Sequence, residues 1–305
     1  MGRNRKKNSV HYPYRLMMPA LLVYSVFYMV PLLIGLVMSM TNWNIENLAF
    51  KGNFLNLDGL RFEGIKNYSS IFADRHFITA LTNTVWFAMA TTAAKLVLGL
   101  ALAMALNARL KTKKYLRTIF YIPAVLSYIV VGVLFSSILR TDGMLNQFLS
   151  VVFFHKVSHD WLGNTSTAMW CIIGVEIWKW SGYVMTVFLA GLQGISQEYY
   201  ESARIDGAGG FQIFRRITLP LLLPSFTVNV TMCVIGGFKV FDQVFVMTNG
   251  GPGFATQVLN TIIYKTFSEG RLAKSAAMGI VLFVFISIVS VGISMAMHRK
   301  ERNLV

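Results

Sequence analysis

The chain has 305 residues, of which 55% are hydrophobic and only 13% are charged, and its mean hydropathy is +0.55. A water-soluble globule of this length needs more polar surface, so the composition excludes that class and predicts an integral membrane protein. The net charge of +15 is compatible with nucleic-acid binding. However, the basic residues lie in short clusters beside apolar runs, as topology determinants do, so we expect membrane lipid and no nucleic acid as a partner. The only cysteines, Cys171 and Cys233, lie in apolar runs and predict neither a disulfide framework nor a metal site.

Apolar runs of about 20 residues, the length needed to cross a bilayer, occur six times along the chain. The predicted spans are 16–40, 78–106, 118–139, 167–192, 221–247 and 273–297. The first run is too long for the apolar core of a signal peptide and is interpreted as a span. No internal repeat is evident, so residues 1–305 are expected to form a single transmembrane domain.

The basic residues predict the orientation of these spans. The two ends and the loops 107–117 and 193–220 hold 16 Lys and Arg residues, against 9 on the other side. By the positive-inside rule, both termini and these loops are expected to be cytoplasmic. The longest outer loop, 41–77, is either a small folded cap or a plain connector.

The segment 197–220 is polar and lies between two spans, so its helices are expected to lie outside the bilayer. Glu198 and Glu201 suit the start of a helix, and Asp206-Gly207 is expected to end that helix. A second helix is expected over 211–217, stopping before Pro220. Ala203, Phe211, Phe214 and Ile217 would then form an apolar side. Such a loop either fits a groove on a soluble partner or is an ordinary loop with an interfacial helix.

Two motifs resemble those of one transporter family. The first is Tyr200-Glu201-Ser202-Ala203-x-x-Asp206-Gly207-Ala208 followed by Ile217-Thr-Leu-Pro220, which resembles the cytoplasmic loop of ATP-binding-cassette (ABC) importer permeases. The second is Phe238-Lys239-x-Phe241-Asp242 running on to Thr248-Asn-Gly-Gly-Pro252, which is typical of the maltose-type carbohydrate branch. One departure is Ser202, where the family most often has alanine. The resemblance covers almost the whole chain and implies an all-α fold of the type I importer permease class, with six transmembrane helices.

The resemblance also implies partners and a role for the loop 197–220, which docks on a separate ATPase subunit in that family. The residues carried over to this coupling role are Glu201, Ser202, Ala203, Asp206, Gly207, Ile217, Leu219 and Pro220. The implied complex contains a second permease, two ATPase subunits and an extracellular sugar-binding protein in a bacterial cell membrane. The chain has no Gly-x-x-x-x-Gly-Lys-Ser/Thr motif, so we expect it to bind no cofactor, and ATP and Mg²⁺ to be held by the partner ATPase.

Ionisable residues inside predicted spans are costly and are candidates for function. Five stand out: Lys95, Glu176, Lys179, Lys239 and Asp242. On the fourth span, Glu176, Lys179, Trp180 and Tyr183 share one helix face and offer the charged and aromatic groups that suit sugars. Alternatively, Glu176 and Lys179 merely neutralise each other. Lys95 either pairs with an acid on another helix or faces the companion subunit.

The resemblance adds further candidates for the substrate path and for gating. It places Tyr128 of the third span, and Cys233, Gly237 and Val240 of the fifth, on the substrate path. Lys239 and Asp242 are assigned a structural or gating role. The turn with Gly250, Gly251 and Pro252 either reverses the chain or contacts a delivered substrate or the binding protein.

The leading hypothesis is a non-enzymatic permease subunit of an ATP-driven, binding-protein-dependent importer of sugars or oligosaccharides, working by alternating access. The alternative is a self-sufficient ion-coupled carrier, although such carriers usually show internal repeats. An intramembrane enzyme is disfavoured because no span carries a metal-binding histidine motif. The cargo stays open: Glu176 and Lys179 suggest an acidic sugar unless they pair with each other.

Overall fold

The computed structural model describes residues 17–45, 60–108 and 111–302, and this part of the chain is built from helices. Its one β-bridge joins Thr41 to Phe62. The helices are α1 (Met18–Ser39), α2 (Lys66–Ala73), α3 (Arg75–Asn107), α4 (Lys113–Val125), α5 (Tyr128–Ile138), α6 (Met144–Val152) and α7 (Ala168–Gly194). They continue with α8 (Gln197–Ile205), α9 (Gly210–Leu221), α10 (Leu223–Phe238), α11 (Asp242–Thr248), α12 (Leu259–Ser268) and α13 (Leu272–Arg302). The all-α prediction is confirmed.

Among the described residues, four helices are long and apolar enough to cross a membrane: α1, α3, α7 and α13. Two bent pairs raise the number to six if each pair forms one span. The axes of α4 and α5 differ by 97°, and those of α9 and α10 by 65°. The predicted span 118–139 therefore contains a sharp bend. The predicted span 221–247 is divided at its other end, because α10 stops at Phe238 and α11 is a separate helix.

The break between α4 and α5 follows from a proline and a helix cap. Pro123 removes a backbone donor from the last turn of α4, and Leu126 and Ser127 are extended. The Ser127 hydroxyl then accepts a hydrogen bond from the Ile129 amide at 3.3 Å, which caps the start of α5. The chain thus turns sharply within the membrane region while both new helix ends find partners.

The bend between α9 and α10 lies at Leu222, and the prediction that the loop helix stops before Pro220 is wrong. Pro220 is inside α9, which accommodates it by a π-helical segment over Phe214–Thr218. There the Leu219 amide donates to the Phe214 carbonyl, one residue beyond the α-helical partner. The π segment fits a helix whose next residue has no amide hydrogen to donate.

Helices α3 and α7 form the centre of the fold and pack closely with their neighbours. Phe87 and Ala103 of α3 and Ile172 and Phe188 of α7 are fully buried. Glycines allow the closest approaches: a Cβ added to Gly182 of α7 would lie 1.8 Å from the Phe120 carbonyl oxygen of α4. Small residues that let backbones touch are the usual means of packing helices where lipid supplies no hydrophobic driving force.

The described ends of the loop 41–77 fold back on the helices. The Asn67 amide donates to the carbonyls of Ser39 and Thr41 at 2.9 and 2.7 Å, which joins α2 to the end of α1. The Ala273 amide donates to the Trp43 carbonyl at 2.8 Å. Residues 46–59 lie outside the described residues, so the choice between a cap and a connector stays a prediction.

The close approach at Gly182 predicts the effect of one methyl group. Gly182→Ala should lower the melting temperature of the detergent-solubilised chain by several degrees, because overpacking costs about 1–3 kcal/mol. Gly174→Ala on the same helix is the control, since no atom lies within 4 Å of its added Cβ. That variant should be neutral or slightly stabilised by the better helix propensity of alanine. Equal melting temperatures for both variants would contradict the packing assignment.

Candidate functional site

A cavity of about 210 Å³ lies between α3, α5, α7 and α10. Polar, aromatic and sulfur-bearing side chains from all four helices line it. They are Lys95, Tyr128, Glu176, Trp180, Tyr183 and Cys233. The sequence predicts five of these residues to line the substrate path. Lys95 is the exception.

The charges at this cavity are paired across helices. Lys95 Nζ lies 3.1 Å from Glu176 Oε1, and the two residues are 2% and 3% exposed. Gln243 of α11, with its amide nitrogen facing the acid, donates to Glu176 Oε2 at 2.9 Å. Both carboxylate oxygens therefore have a partner. Of the two alternatives for Lys95, the structure shows pairing with an acid on another helix, and the alternative of a Glu176–Lys179 pair is wrong.

Lys179 does not line the cavity and is bound to backbone instead. Its ammonium donates to the carbonyls of Pro123, at 3.1 Å, of Ala124, at 3.3 Å, and of Leu126. These carbonyls lie at the broken end of α4, where only the Pro123 carbonyl keeps a backbone donor, the Leu126 amide at 3.3 Å. A cation there also suits the negative end of the helix dipole. Lys179 thus stabilises the break that brings Tyr128 to the cavity.

Aromatic groups form a connected wall beside this charge cluster. The Trp180 indole donates to the Tyr128 hydroxyl at 2.6 Å, and the Tyr183 ring meets the Trp180 ring edge-on at 5.6 Å between centroids. The Lys179 ammonium lies 4.8 Å from the Tyr128 ring centroid. The cavity therefore presents ring faces, tyrosine hydroxyl groups and the edge of a paired carboxylate within a mainly apolar lining that includes Val184, Met232 and Ile235. Such a mixture suits a molecule with apolar C–H faces and hydroxyl groups.

On the fifth span, two of the three predicted path residues pack into the protein instead. A Cβ added to Gly237 would lie 2.7 Å from Ala88 Cα, so Gly237 is a contact point between α10 and α3. Val240 is 8% exposed and belongs to the core around Phe87 and Val131. Their assignment to the cavity wall is corrected: only Cys233 of the three lines it.

Lys239 and Asp242 flank the break between α10 and α11, and both are exposed. No ion pair joins them in the part of the chain that the structure describes. The break is held by Asn260, whose amide donates to the carbonyls of Phe238 and Val240 at 3.4 and 3.3 Å. Sequence reasoning missed Asn260 and Gln243 because uncharged amides in apolar runs give a weak signal.

The turn after α11 is tight and well held. Asn249 and Gly250 have φ of 49° and 83°, in the left-handed region that suits them. The Gly251 amide donates to the Thr248 carbonyl at 2.9 Å, and the Ala255 amide to the Pro252 carbonyl at 2.8 Å. The Asn83 amide of α3 donates to three carbonyls of the following segment, Phe254, Ala255 and Gln257. The turn is thus fixed to α3, and its contact with a substrate stays a prediction.

A second candidate region is the loop formed by α8 and α9. Ser196 caps the start of α8, where its hydroxyl accepts from the Glu198 amide at 3.4 Å. At the other end, the Gly207 amide donates to Arg204 and the Ala208 amide to Ala203, at 3.1 and 2.9 Å. This pair of bonds is a Schellman motif, and Gly207 takes its left-handed position with φ of 77°. The chain therefore needs glycine here for a backbone reason.

The surface of this loop differs in part from the predicted one. Glu201, Ser202, Asp206 and Gly207 are exposed, Ile217 and Pro220 are half-buried, and Leu219 is 36% exposed. Ala203 is buried against the body of the protein, so its predicted place on an apolar docking side is wrong. The large apolar groups that face outward are Ile205, 87% exposed, and Phe211, 74% exposed. Sequence reasoning missed Ile205 as part of this surface.

The buried ion pair generates a test by double substitution. Lys95→Met should destabilise the protein strongly, by about 3–5 kcal/mol, because it leaves the Glu176 carboxylate buried without its cation. Lys95→Met/Glu176→Gln should recover most of that loss, since no charge is then left unpaired. Melting temperatures in detergent measure both.

The control is Lys274→Met, which removes the 2.8 Å ion pair to Asp74 at side chains that are 20% and 25% exposed. Partly exposed pairs contribute little, so a small loss is expected. A double variant as unstable as Lys95→Met would contradict the assignment.

Comparison with known proteins identifies the family to which the chain belongs. Residues 95–302 match the family model described as "Binding-protein-dependent transport system inner membrane component". The chain is 34% identical over 276 residues to the probable ABC transporter permease protein YurN of Bacillus subtilis (strain 168), covering 89% of this chain and 91% of that protein. It is 32% identical over 289 residues to the multiple sugar-binding transport system permease protein MsmF of Streptococcus mutans serotype c, covering 94% and 95%.

The fold agrees with these relatives. A chain of a bacterial ABC transporter involved in the import of the acidic polysaccharide alginate superposes with a TM-score of 0.74 at 25% identity, covering 95% of this chain and 94% of that one. The architecture is that of a type I importer permease, a multi-pass membrane protein. The chain therefore belongs to the family of binding-protein-dependent transport system inner membrane components and is a transporter permease subunit, not an enzyme.

Proposed function

We propose that this chain forms part of the translocation path of an ATP-driven importer of sugars or oligosaccharides. The observation that carries the proposal is the cavity in which the rings of Tyr128, Trp180 and Tyr183 lie beside a paired carboxylate. The name of the relative MsmF, a sugar transport permease, supports the same class of cargo. An ion-coupled carrier is set aside because the chain belongs to the binding-protein-dependent family.

The charge pairing bears on the class of sugar. Glu176 is bound by Lys95 and Gln243, and Lys179 is bound by backbone carbonyls. Neither of the two cations, Lys95 and Lys179, is therefore free to bind an acidic cargo. The suggestion of an acidic sugar rested on unpaired charges and is withdrawn. A neutral sugar suits this cavity better, because hydroxyl groups can share the carboxylate and tyrosine oxygens without unpaired charge.

The proposed complex contains a second permease, two ATPase subunits that hold ATP and Mg²⁺, and an extracytoplasmic sugar-binding protein. The loop of α8 and α9 is the proposed contact with an ATPase, through Glu201, Ser202, Asp206 and Gly207 together with Ile205 and Phe211. Two exposed apolar side chains within a charged rim form the kind of surface that a groove on a soluble partner accepts. We place the chain in a bacterial cell membrane with both termini cytoplasmic. The excess of Lys and Arg on the side that holds this loop, the loop 107–117 and both ends supports this orientation.

The coupling role predicts the effect of a Cβ at Gly207. Gly207→Val should leave the chain inserted but reduce ATP-driven uptake about tenfold, because a left-handed residue with a Cβ costs roughly 1–2 kcal/mol and distorts the end of α8. Uptake is measured in cells, and ATPase recovery by co-purification through a tag on this chain. Gly209→Val is the control, since Gly209 has φ of −72° and open space around it. Equal uptake by both variants would refute the coupling assignment.

The cavity role predicts a loss of transport without loss of assembly. Trp180→Ala or Tyr183→Ala should lower the uptake rate about threefold to tenfold, since an aromatic contact is worth about 0.5–1.5 kcal/mol. Co-purification of the ATPase should be unchanged. Trp178→Ala is the control, because Trp178 lies on another side of α7 against Phe135 and does not line the cavity. Unchanged uptake in the Trp180 and Tyr183 variants would remove them from the path.

A further inference from the structure

A second concavity, here called the α4–α7 groove, opens between these helices at the end of α7 that leads into α8. Its volume is about 390 Å³. Arg117, Thr118 and Tyr121 of α4 and Thr186 and Gln193 of α7 supply its polar lining. None of these residues belongs to the two sequence motifs, and none of them lines the cavity.

The groove and the cavity share one broad side of α7. Glu176, Trp180 and Tyr183 line the cavity, and Thr186 and Gln193 line the groove. Together with Ala190, these positions follow each other at intervals of three or four residues, so they form a continuous track along the helix. From Glu176 to Gln193 the track is roughly 25 Å long at the rise of an α-helix. That length joins the middle of the protein to the end that carries the coupling loop.

Polar side chains set in a mainly apolar lining distinguish the groove from the exposed side of α4. Its walls carry a guanidinium group, three hydroxyl groups and a carboxamide, and the buried Nε of Arg117 has no hydrogen-bond partner. The exposed residues on the adjacent side of α4 are Tyr115, Ile119 and Ile122, at 76%, 59% and 51% exposure. Helix α4 thus separates an exposed side formed by Tyr115, Ile119 and Ile122 from a concave side that carries Arg117, Thr118 and Tyr121.

The break at the end of α4 fixes the groove relative to the cavity. Lys179 binds the last carbonyls of α4, and Gly182 contacts its backbone at Phe120. Both contacts lie at the height of the cavity residues, on the side of α7 that faces α4. The walls of the groove and of the cavity are therefore held together by the same piece of α7.

We propose that the α4–α7 groove is the cytoplasmic half of the sugar path, in which Arg117, Tyr121, Thr186 and Gln193 bind hydroxyl groups of a neutral saccharide as it leaves the cavity. This inference rests on the proposed import function. The chemistry fits because a guanidinium offers several donors in one plane and a carboxamide offers both a donor and an acceptor, which suits neighbouring sugar hydroxyls.

The test uses Cys233, which lines the cavity, as a natural reporter. In a Cys171→Ala background, the nucleotide-free complex in inside-out vesicles is treated with a charged, membrane-impermeant maleimide. Cys233 should be labelled, and Gln193→Trp should abolish this labelling by blocking the groove. Ile119→Trp on the apolar side of α4 is the matched control and should leave it unchanged. Labelling after denaturation confirms equal amounts of the thiol in all variants.

A second, milder measurement covers the case in which Gln193→Trp fails to assemble. Thr186→Cys and Gln193→Cys in a cysteine-free background should react with the charged maleimide in the assembled complex, whereas Ile119→Cys should not. Reaction only with a lipid-soluble maleimide, no reaction with either reagent, or Cys233 labelling that is absent or insensitive to Gln193→Trp would each overturn the proposal. A groove that passes these tests, in a complex that shows no ATP-driven sugar uptake, would instead contradict the proposed function.

Discussion

The pairing of buried charge is the constraint on which the rest of the structure depends. An isolated ammonium or carboxylate in an apolar interior is so costly that it must find a partner, and here the partners lie on different helices. Lys95 and Glu176 join α3 to α7, and Gln243 adds α11. Lys179 joins α7 to the broken end of α4. The same side chains that fill the centre of the protein with charge therefore also determine where four helices meet.

This constraint explains why the break between α4 and α5 is stable. A helix that ends inside a membrane leaves carbonyl groups without donors, and lipid cannot supply any. The Lys179 ammonium supplies them, and its own charge is offset by the helix dipole and by the rings of Tyr128 and Trp180. The break in turn directs Tyr128 into the cavity. Lys179, which the sequence predicts to contact the cargo, thus binds the backbone at the end of α4 instead. In this way it positions Tyr128, which does line the cavity.

Much of this architecture could be predicted from the sequence, and the misses have identifiable causes. The helical class, the loop with its glycine at a helix end, and the Glu176, Trp180 and Tyr183 face follow from local spacing. Pairing of Lys95 with an acid on another helix was one of two alternatives, but the identity of that acid, Glu176, could not be predicted. The two residues are 81 positions apart, and periodicity says nothing about which helix faces meet. Proline content was equally ambiguous: Pro31 lies within the continuous α1, whereas Pro123 and Pro224 accompany breaks. At the Pro123 break the donor for the carbonyls is Lys179 of another helix, which is a tertiary property that proline content does not reveal.

The position of Gly182 links the central cavity to the end of the protein that carries the loop of α8 and α9. Because α4 touches α7 there without an intervening side chain, a movement of the loop after α7 cannot displace that helix without also displacing α4. The end of α7 continues into α8, whose Schellman motif at Gly207 fixes the direction of the chain toward α9. Force applied to α8 would therefore reach the Lys179 contacts and, through them, the wall that carries Tyr128. Rigid contacts of this kind, rather than flexible ones, would transmit a movement of the loop of α8 and α9 to a cavity that this loop does not touch.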